Sequence, residues 1–590
     1  MLVSNLCLPC VLFGSLQQPA EPLALPIFKE SYKLGCTNEG HHFLNSSLVS
    51  WQAINTIYNP GILCIVFRLG KLKDQQLLLV TTPIYIHNRL AGRPMRLTRR
   101  QGRAGAAMEK EEPAAAELEI PGECQYAGDP VVVRPSQPTP RHTLHLSNLD
   151  DQRFLRFSIK YLYVFASHAA VSADALRAAL GRVLVDYYPL AGRLRPSDEE
   201  EGKLVVDCNA EGALFAEGRL PGLAAADFLR GRGGATPHKS WRKLHYRVEA
   251  QSFVAVPPLV VQVTWLRCGG MVLCTAINHC LCDGIGTAQF LHAWARAVRG
   301  GQDAPGAGAD NDDSALPFHD RRALRPRCPP RVAFTHPEYS SSRGISGAVV
   351  GNGNGNGNAN EAAPSLLARL LGQPLAPVSL TFTAAHLLRL KRQCAPSLKC
   401  TSFEALAAHV WRAWVRALDP PGALRVKLLF SVNVRRRLKP ELPRGYYGNG
   451  FVLGCAESTA AQLVTAAPSS AAAARYGVRL VQDAKECVDD DYVRSMVDLL
   501  EERRGARPDL AASLVISAWT RLGLEDLDFG AGKAAHMGPL TSEIYCVFLP
   551  VMGDPQGVTV LLSVPQAAAD KFQHCCLEFL KDTDVDAKLS

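Results

Sequence analysis

The sequence predicts a mixed α/β (α+β) protein of two domains, on three observations. At 590 residues the chain is longer than one hydrophobic core usually serves. Stretches with strand-like alternation and stretches with helical spacing recur in both halves. A Pro-rich and Gly/Asn-rich region near the middle of residues 120–590 reads as a linker. The resulting divisions are 1–107, a disordered extension or an over-long gene model; 120–325, an N-terminal domain; 326–375, a crossover linker; and 376–590, a C-terminal domain.

The elements follow in chain order. Residues 1–107 show scattered apolar patches, a basic finish (Arg89, Arg93, Arg96, Arg99, Arg100, Arg103) and no sustained period of 2 or 3.6. Met108 then opens Met-Glu-Lys-Glu-Glu, which reads like an ordinary protein start. Val131–Pro135 reads as a strand, and Phe157, Ile159, Tyr161 and Tyr163 alternate along a second. Ser172–Tyr187 has helical spacing through Leu176, Leu180, Val183 and Leu184, and Pro189 and Gly192 stop it. Leu204–Asp207 is a short strand. Leu259–Leu266 and Met271–Ile277 are β-branched runs about Gly269-Gly270, which is hairpin grammar. A helix follows Asp283-Gly284, with Leu291, Trp294, Ala295 and Val298 on one stripe.

Low-complexity inserts at Gly300–Ser314 and Gly351–Asn360 flank the proline-rich Pro326–Pro337. Thr401–Val415 is a helix with Thr401 and Glu404 at capping-box spacing. Val426–Val434, Phe451–Leu453, Ile544–Pro550 and Gly557–Val564 are strands, and Gln566–Leu580 is a last helix.

Composition excludes more than it identifies. Residues 1–107 hold 11 of the 64 Lys and Arg but 4 of the 55 Asp and Glu, so the net charge of +9 leaves only +2 on the rest. The body therefore lacks the basic stripe that nucleic-acid binding needs. The 18 cysteines are dispersed, with no paired CxxC knuckles, which fits reduced thiols in a cytoplasmic protein. No apolar run has the length of a membrane span. The C-terminal Ala587–Ser590 is one residue off a peroxisomal ending, and no such address is assigned.

Chemistry concentrates in Asn278-His279-Cys280-Leu281-Cys282-Asp283-Gly284. A buried strand ends there and a Gly turn opens a helix. Imidazole titrates near neutrality, so it can both take and give a proton. Of the sixteen histidines only His279 has Asp at +4. By itself that pattern serves a satisfied core-edge histidine about as well. Zinc is disfavoured, because strand alternation turns Cys280 away from His279. A second motif, Asp528-Phe529-Gly530-Ala531-Gly532, lacks the other parts of a protein kinase.

Taken in order, six segments resemble the plant BAHD acyltransferases, which use acyl-CoA donors. They are Asp186–Leu194, Pro257–Thr264, His279–Gly284, Thr401–Leu406, Tyr446–Gly450 and Asp528–Gly532, spread from about Val131 to Phe579; nothing in 1–107 matches. The resemblance implies two chloramphenicol-acetyltransferase-like domains with mixed sheets and a channel between them. It implies His279 as catalytic base at mid-channel. It makes Asp283 and Gly284 structural, with Arg435 the partner of Asp283, and gives Asp528, Gly530 and Gly532 a distant supporting role. Ala531 stands where the family usually has Trp. Coenzyme A contacts are expected near Lys399, Thr401 and Ser402, where a helix N-terminus also suits phosphate. Ser517 and Trp519 occupy acceptor-pocket positions.

The expected function is acyl transfer from CoA to an alcohol, with no covalent acyl-enzyme, no metal and no cofactor beyond the thioester co-substrate. The segment Leu510–Ile516 lacks the basic element of shikimate-using relatives. That favours a less polar acceptor: a fatty alcohol, ω-hydroxy acid or aromatic alcohol, with a hydroxycinnamoyl donor. The expected partners are these small molecules alone, with no nucleic acid, and the expected form is a cytoplasmic monomer. The rivals are a carrier-dependent condensation domain, which usually has a second His where Asn278 stands, and a non-catalytic relative in lipid metabolism, against which retention of His279 argues.

Overall fold

A computed structural model describes residues 118–580 apart from 168–170, 231–235, 251, 301–314, 341–372, 465–470 and 542–544, together with the backbone of three earlier strands. The two low-complexity inserts and Met108 therefore lie outside the described residues, apart from Gly300 at the edge of the first insert. Contacts divide the chain into a first unit, Met1–Glu109, and a second, Lys110–Ser590.

In the first unit β1 (Trp51–Asn59), β2 (Ile62–Leu69) and β3 (Val80–Tyr85) form an antiparallel meander. The sequence reading, which found no sustained period there, does not anticipate these strands. Their apolar residues run in patches rather than in clean alternation, so neither face declares itself.

The second unit opens with β4 (Gln125–Tyr126), β5 (Val131–Val133), β6 (Thr143–His145) and β7 (Ser158–Phe165), then α1 (Ala173–Asp186). Ser172 caps α1 by accepting from Ala175 N. Next come β8 (Arg193–Pro196), β9 (Leu204–Asp207), β10 (Ala213–Leu220), β11 (Leu259–Leu266), β12 (Met271–Asn278) and α2 (Gly284–Val298). The later half holds β13 (Leu375–Phe382), α3 (Ala384–Arg392), α4 (Ser402–Leu418), β14 (Arg425–Asn433), β15 (Phe451–Thr459), α5 (Ala460–Val464), α6 (Ala471–Glu486) and α7 (Asp490–Glu502). It ends with β16 (Ser513–Ala518), β17 (His536–Pro539), β18 (Cys546–Val551), β19 (Asp554–Pro565) and α8 (Ala569–Leu577).

Two mixed sheets organise these elements. One runs β17-β7-β12-β11-β10-β4, with β5 also on β10; the other runs β13-β19-β18-β16-β14-β15. A small sheet, β6-β9-β8, stands apart. β11 and β12 pair antiparallel across the Gly269-Gly270 turn, while β10–β11, β14–β16 and β16–β18 pair parallel. The core of the first sheet lies against α1 and α2, through Leu176, Leu180, Phe290 and Trp294. The core of the second lies against α4, α6 and α7, through Trp411, Val481 and Val497. Burying side chains of this size is worth roughly 1.5–3 kcal/mol each, so both halves have cores of their own.

The halves are also stitched together. β17 belongs by sequence to 376–590, yet it pairs with β7 in the first sheet, Met537 opposite Tyr163. Trp519, Val547 and Leu561 from the later half join the first core. Among the described residues no helix is long and apolar enough to cross a membrane.

Candidate active site

β12 delivers His279. Every residue of that strand is buried, and its pairing with β7 continues one step further, where His279 N donates to Phe157 O at 2.8 Å. The chain then turns, and Asp283 caps α2 by accepting from Gly286 N at 2.9 Å. Gly286 is required here: a methyl on its Cα would lie 1.8 Å from Tyr447 O. That close approach lets the 446–450 loop of the later half lie against the start of α2.

Four donors saturate Asp283. Arg435 gives Nη1 to Oδ2 at 2.8 Å and Nη2 to Oδ1 at 2.9 Å, Gly450 N gives to Oδ2 at 3.0 Å, and Gly286 N supplies the fourth. The Asp283 side chain is 6% exposed. A carboxylate held by four donors in this way fixes the position of the loop.

His279 borders a cavity of about 460 Å³. The first half contributes Phe157, Ile159, Tyr161, Gly284 and Ile285, and the later half Ser431, Asn433, Phe451, Leu453, Val515, Ser517, Trp519 and Tyr545. Ser431/Asn433, Phe451/Leu453 and Val515/Ser517 are each two residues apart, the spacing that puts side chains on one face of a sheet. The cavity is thus walled by the ends of both sheets. Phe157 and Phe451 flank the imidazole at 5.6 and 6.1 Å between ring centres. Burial pushes the His279 pKa below the ordinary imidazole value, against the pull of a hydrogen bond to its own backbone and of Asp283, Asn449 and Asp150. The ring is therefore neutral at neutral pH and able to accept a proton.

Of the residues singled out from sequence, His279, Asp283, Gly284, Arg435, Ser517 and Trp519 all border this cavity. Trp519 packs on Tyr161 at 4.6 Å between ring centres. Lys399, Thr401 and Ser402 are not in its wall. Thr401 caps α4 in a reciprocal box with Glu404, and Lys399 is exposed. The Asp528 loop is remote as well. Asp528 Oδ1 accepts from Gly530 N at 2.7 Å, and its carbonyl accepts from Arg299. Gly530 and Gly532 take φ of +102° and +86°, conformations that suit glycine. Phe529 anchors the loop against Trp294 at 5.0 Å, so the small Ala531 at the core's edge need not do so.

Sequence reasoning missed the buried partners of the site, Asp150 and Arg321, and did not single out Asn449 within its motif. His279 Nδ1 lies 3.1 Å from Asn449 Oδ1. Asn449 N and Nδ2 both donate to Asp150 Oδ1, at 2.8 and 3.0 Å. The Arg321 guanidinium sits 3.8 Å from Asp150 and over the rings of Tyr446 and Tyr447, at 5.0 and 4.5 Å. Asp150 and Asn449 are 299 residues apart, so spacing carried no signal. Among the described residues no cluster of three His, Cys, Asp or Glu is placed to hold a metal ion.

Two sheet-rich halves meeting at a cavity that the His279 imidazole borders define an acyltransferase of the chloramphenicol-acetyltransferase-like class. The chain belongs to the BAHD acyltransferases of plants: the model described as the Transferase family matches residues 129–349 and 358–578. It is similar to the Arabidopsis thaliana fatty alcohol:caffeoyl-CoA acyltransferase, 36% identical over 452 residues, which span 75% of this chain and 96% of that one. The omega-hydroxypalmitate O-feruloyl transferase of the same plant is 34% identical, over 76% of this chain and 92% of the relative. A benzyl alcohol O-benzoyltransferase of Petunia hybrida is 31% identical, over 78% and 95%. Among solved structures, vinorine synthase superposes with a TM-score of 0.55 at 20% identity, over 78% of this chain and 98% of that chain. The TRI101 of F. sporotrichioides, complexed with coenzyme A and T-2, superposes with 0.54 at 15%, over 75% and 98%. At those identities the likeness concerns the fold. The chain is an acyltransferase.

Proposed function

We propose that this enzyme esterifies an alcohol with an acyl group taken from coenzyme A, and that His279 is its general base. The carrying observation is the placement of His279, neutral and bordering a cavity walled by both sheets. In this reading the imidazole takes the proton of the acceptor hydroxyl as its oxygen attacks the thioester carbonyl carbon. The tetrahedral intermediate collapses, the carbon–sulfur bond breaks, and the imidazolium returns the proton to the CoA thiolate. Acid–base action of this kind is worth about 10²–10⁴-fold. Holding both substrates in one cavity adds a proximity term. No acyl group need pass through the protein.

A wall of Phe157, Ile159, Leu453, Val515 and Trp519 supports an acceptor with a large apolar surface. With the relatives named above, this favours a fatty alcohol, an ω-hydroxy acid or an aromatic alcohol, with a hydroxycinnamoyl donor. Coenzyme A contacts at Lys399, Thr401 and Ser402 remain part of the proposal, supported by the free N–H groups at the start of α4. The catalytic body is proposed as 120–590, with 326–375 as the crossover between its halves. One chain supplies both cavity walls, which supports action as a monomer. The described cysteines are free thiols, which supports a reducing, cytoplasmic setting.

The test is mass spectrometry of products from pooled acyl-CoAs and alcohols, with the parent and His279→Ala. An ester from the parent, reduced at least about 100-fold in the variant, is the expected result. Undiminished product from His279→Ala removes the base assignment. A chain begun at Met108 should give the same product; failure of a folded version to do so would place part of the machinery in 1–107.

A further inference from the structure

Asp150 is completely buried, borders no part of the cavity and does not touch the His279 ring, yet two of its hydrogen bonds come from that ring's partner, Asn449. Ser147 N and Oγ donate to Asp150 Oδ2 at 3.1 and 2.6 Å, and Asn449 N and Nδ2 donate to Oδ1. A carboxylate accepts and does not donate, so the amide group facing Asp150 must be the NH₂ end. The second proton of that NH₂ goes to His279 O, at 2.8 Å. Both amide protons are spent, and Asn449 Oδ1 is left facing His279 Nδ1 at 3.1 Å. A reversed amide would set its oxygen against a carboxylate and a carbonyl in a fully buried place, which is costly. An acceptor opposite Nδ1 requires a proton on Nδ1. The neutral ring then carries its lone pair on Nε2, which has no hydrogen-bond partner among the described residues.

We propose that Asp150 is a positioning residue for acyl transfer: through Asn449 it holds His279 as the Nδ1–H tautomer and so leaves Nε2 as the base. The inference deepens the proposed function and rests on His279 being the base. Its order of action is Asp150 to the Asn449 amide, the amide to Nδ1–H, and Nδ1–H to a basic Nε2. No proton passes to Asp150 at any step. The carboxylate differs from the Asp283–Arg435 pair in this respect: Asp283 fixes where the loop lies, and Asp150 fixes which nitrogen can react.

Nuclear magnetic resonance of protein labelled with ¹⁵N-histidine reads the tautomer directly. The His279 signals are assigned by their loss in His279→Gln. In the parent they should show a protonated Nδ1 and a bare Nε2; a protonated Nε2 overturns the proposal whatever the variants do. Asp150→Asn removes the obligate acceptor and frees the Asn449 amide to turn. It should lower kcat about 10- to 100-fold with KM within about 2-fold, and bring in Nε2–H signal. The exchange Asp150→Asn with Asn449→Asp restores an acceptor opposite Nδ1, now a charged one. It should recover the Nδ1–H signature and part of kcat, and move the acid limb of the pH–rate profile to higher pH. A merely structural role predicts no recovery and no movement of the limb, and that outcome, or an unchanged tautomer in Asp150→Asn, overturns the proposal. Undiminished activity of His279→Ala would instead sink the base assignment beneath it.

Discussion

Arg435 reaches from the later half of the chain to Asp283 in the first, forming two parallel hydrogen bonds of 2.8 and 2.9 Å. The residues are 152 positions apart, with side chains 13% and 6% exposed. The pair ties the loop after β14 to the cap of α2, and so holds the turn that carries His279. Removing one partner of a buried pair strands the other charge, at a cost of about 3–5 kcal/mol. Arg435→Ala should therefore lower the free energy of unfolding by about that amount in urea titrations, and lower kcat. Removing both charges, as Asp283→Asn with Arg435→Met, should destabilise less than Arg435→Ala alone. Equal or greater loss in the double variant would show that the pair contributes more than the relief of a stranded charge.

How much of this was legible in the sequence varies with separation along the chain. His279 and its turn occupy seven consecutive residues at a strand end, and the β11–β12 hairpin has its Gly269-Gly270 signal in place, so local grammar sufficed. Thr401 and Glu404 are three apart, and form the reciprocal cap that spacing suggests. The Asp150–Asn449 contact and the entry of β17 into the first sheet join residues hundreds of positions apart. No periodicity encodes such contacts, because they arise only when the later half folds back on the first. The 446–450 segment was recognisable by resemblance, but the role of Asn449 depends on what lies opposite it in space.

Activity should persist well into mild acid. Burial holds the His279 imidazole below the usual value of 6.5, so the fraction of neutral base stays high as pH falls through that range. In a plot of kcat/KM against pH, the acid limb should have its midpoint below 6.5. A midpoint above that value would mean that the nearby carboxylates outweigh burial, or that another group limits the rate.

Stability should behave differently from activity over the same interval. Burial pushes His245, His319, His409 and His536 down to about 4. Between about 6.5 and 4 the unfolded chain binds protons at these sites and the folded chain does not. By linkage the free energy of unfolding must fall as pH falls, by up to about 1.4 kcal/mol per pH unit for each site. Asp151, raised by burial to about 6, acts in the opposite sense between about 4 and 6 and offsets one such site. Thermal melts at pH 7.5, 6 and 4.5 should show progressive destabilisation. His536→Gln, whose side-chain amide titrates in neither state, should flatten the trend.

Lys160 bears on the choice of acceptor. It borders the cavity, it is half-buried, and its hydrogen bond is a long one of 3.4 Å to Ser158 O. Among the described residues no carboxylate lies within ion-pair distance of it. Burial lowers its pKa, as expected for a cation short of compensation. Among the described residues the other charges in the wall, Asp283 and Arg435, neutralise each other. An acceptor with an apolar stem and an anionic end, such as an ω-hydroxy acid, would supply the missing charge, whereas a neutral alcohol would leave Lys160 as it is. A charge-assisted hydrogen bond contributes about 1.5–3 kcal/mol, or roughly 10- to 100-fold in affinity. Lys160→Met should lower kcat/KM for an ω-hydroxy fatty acid by at least about 10-fold, and leave that for the primary alcohol of equal length within about 2-fold. If both fall together, Lys160 supports the wall without reading the acceptor, and the neutral alcohol becomes the better-supported substrate.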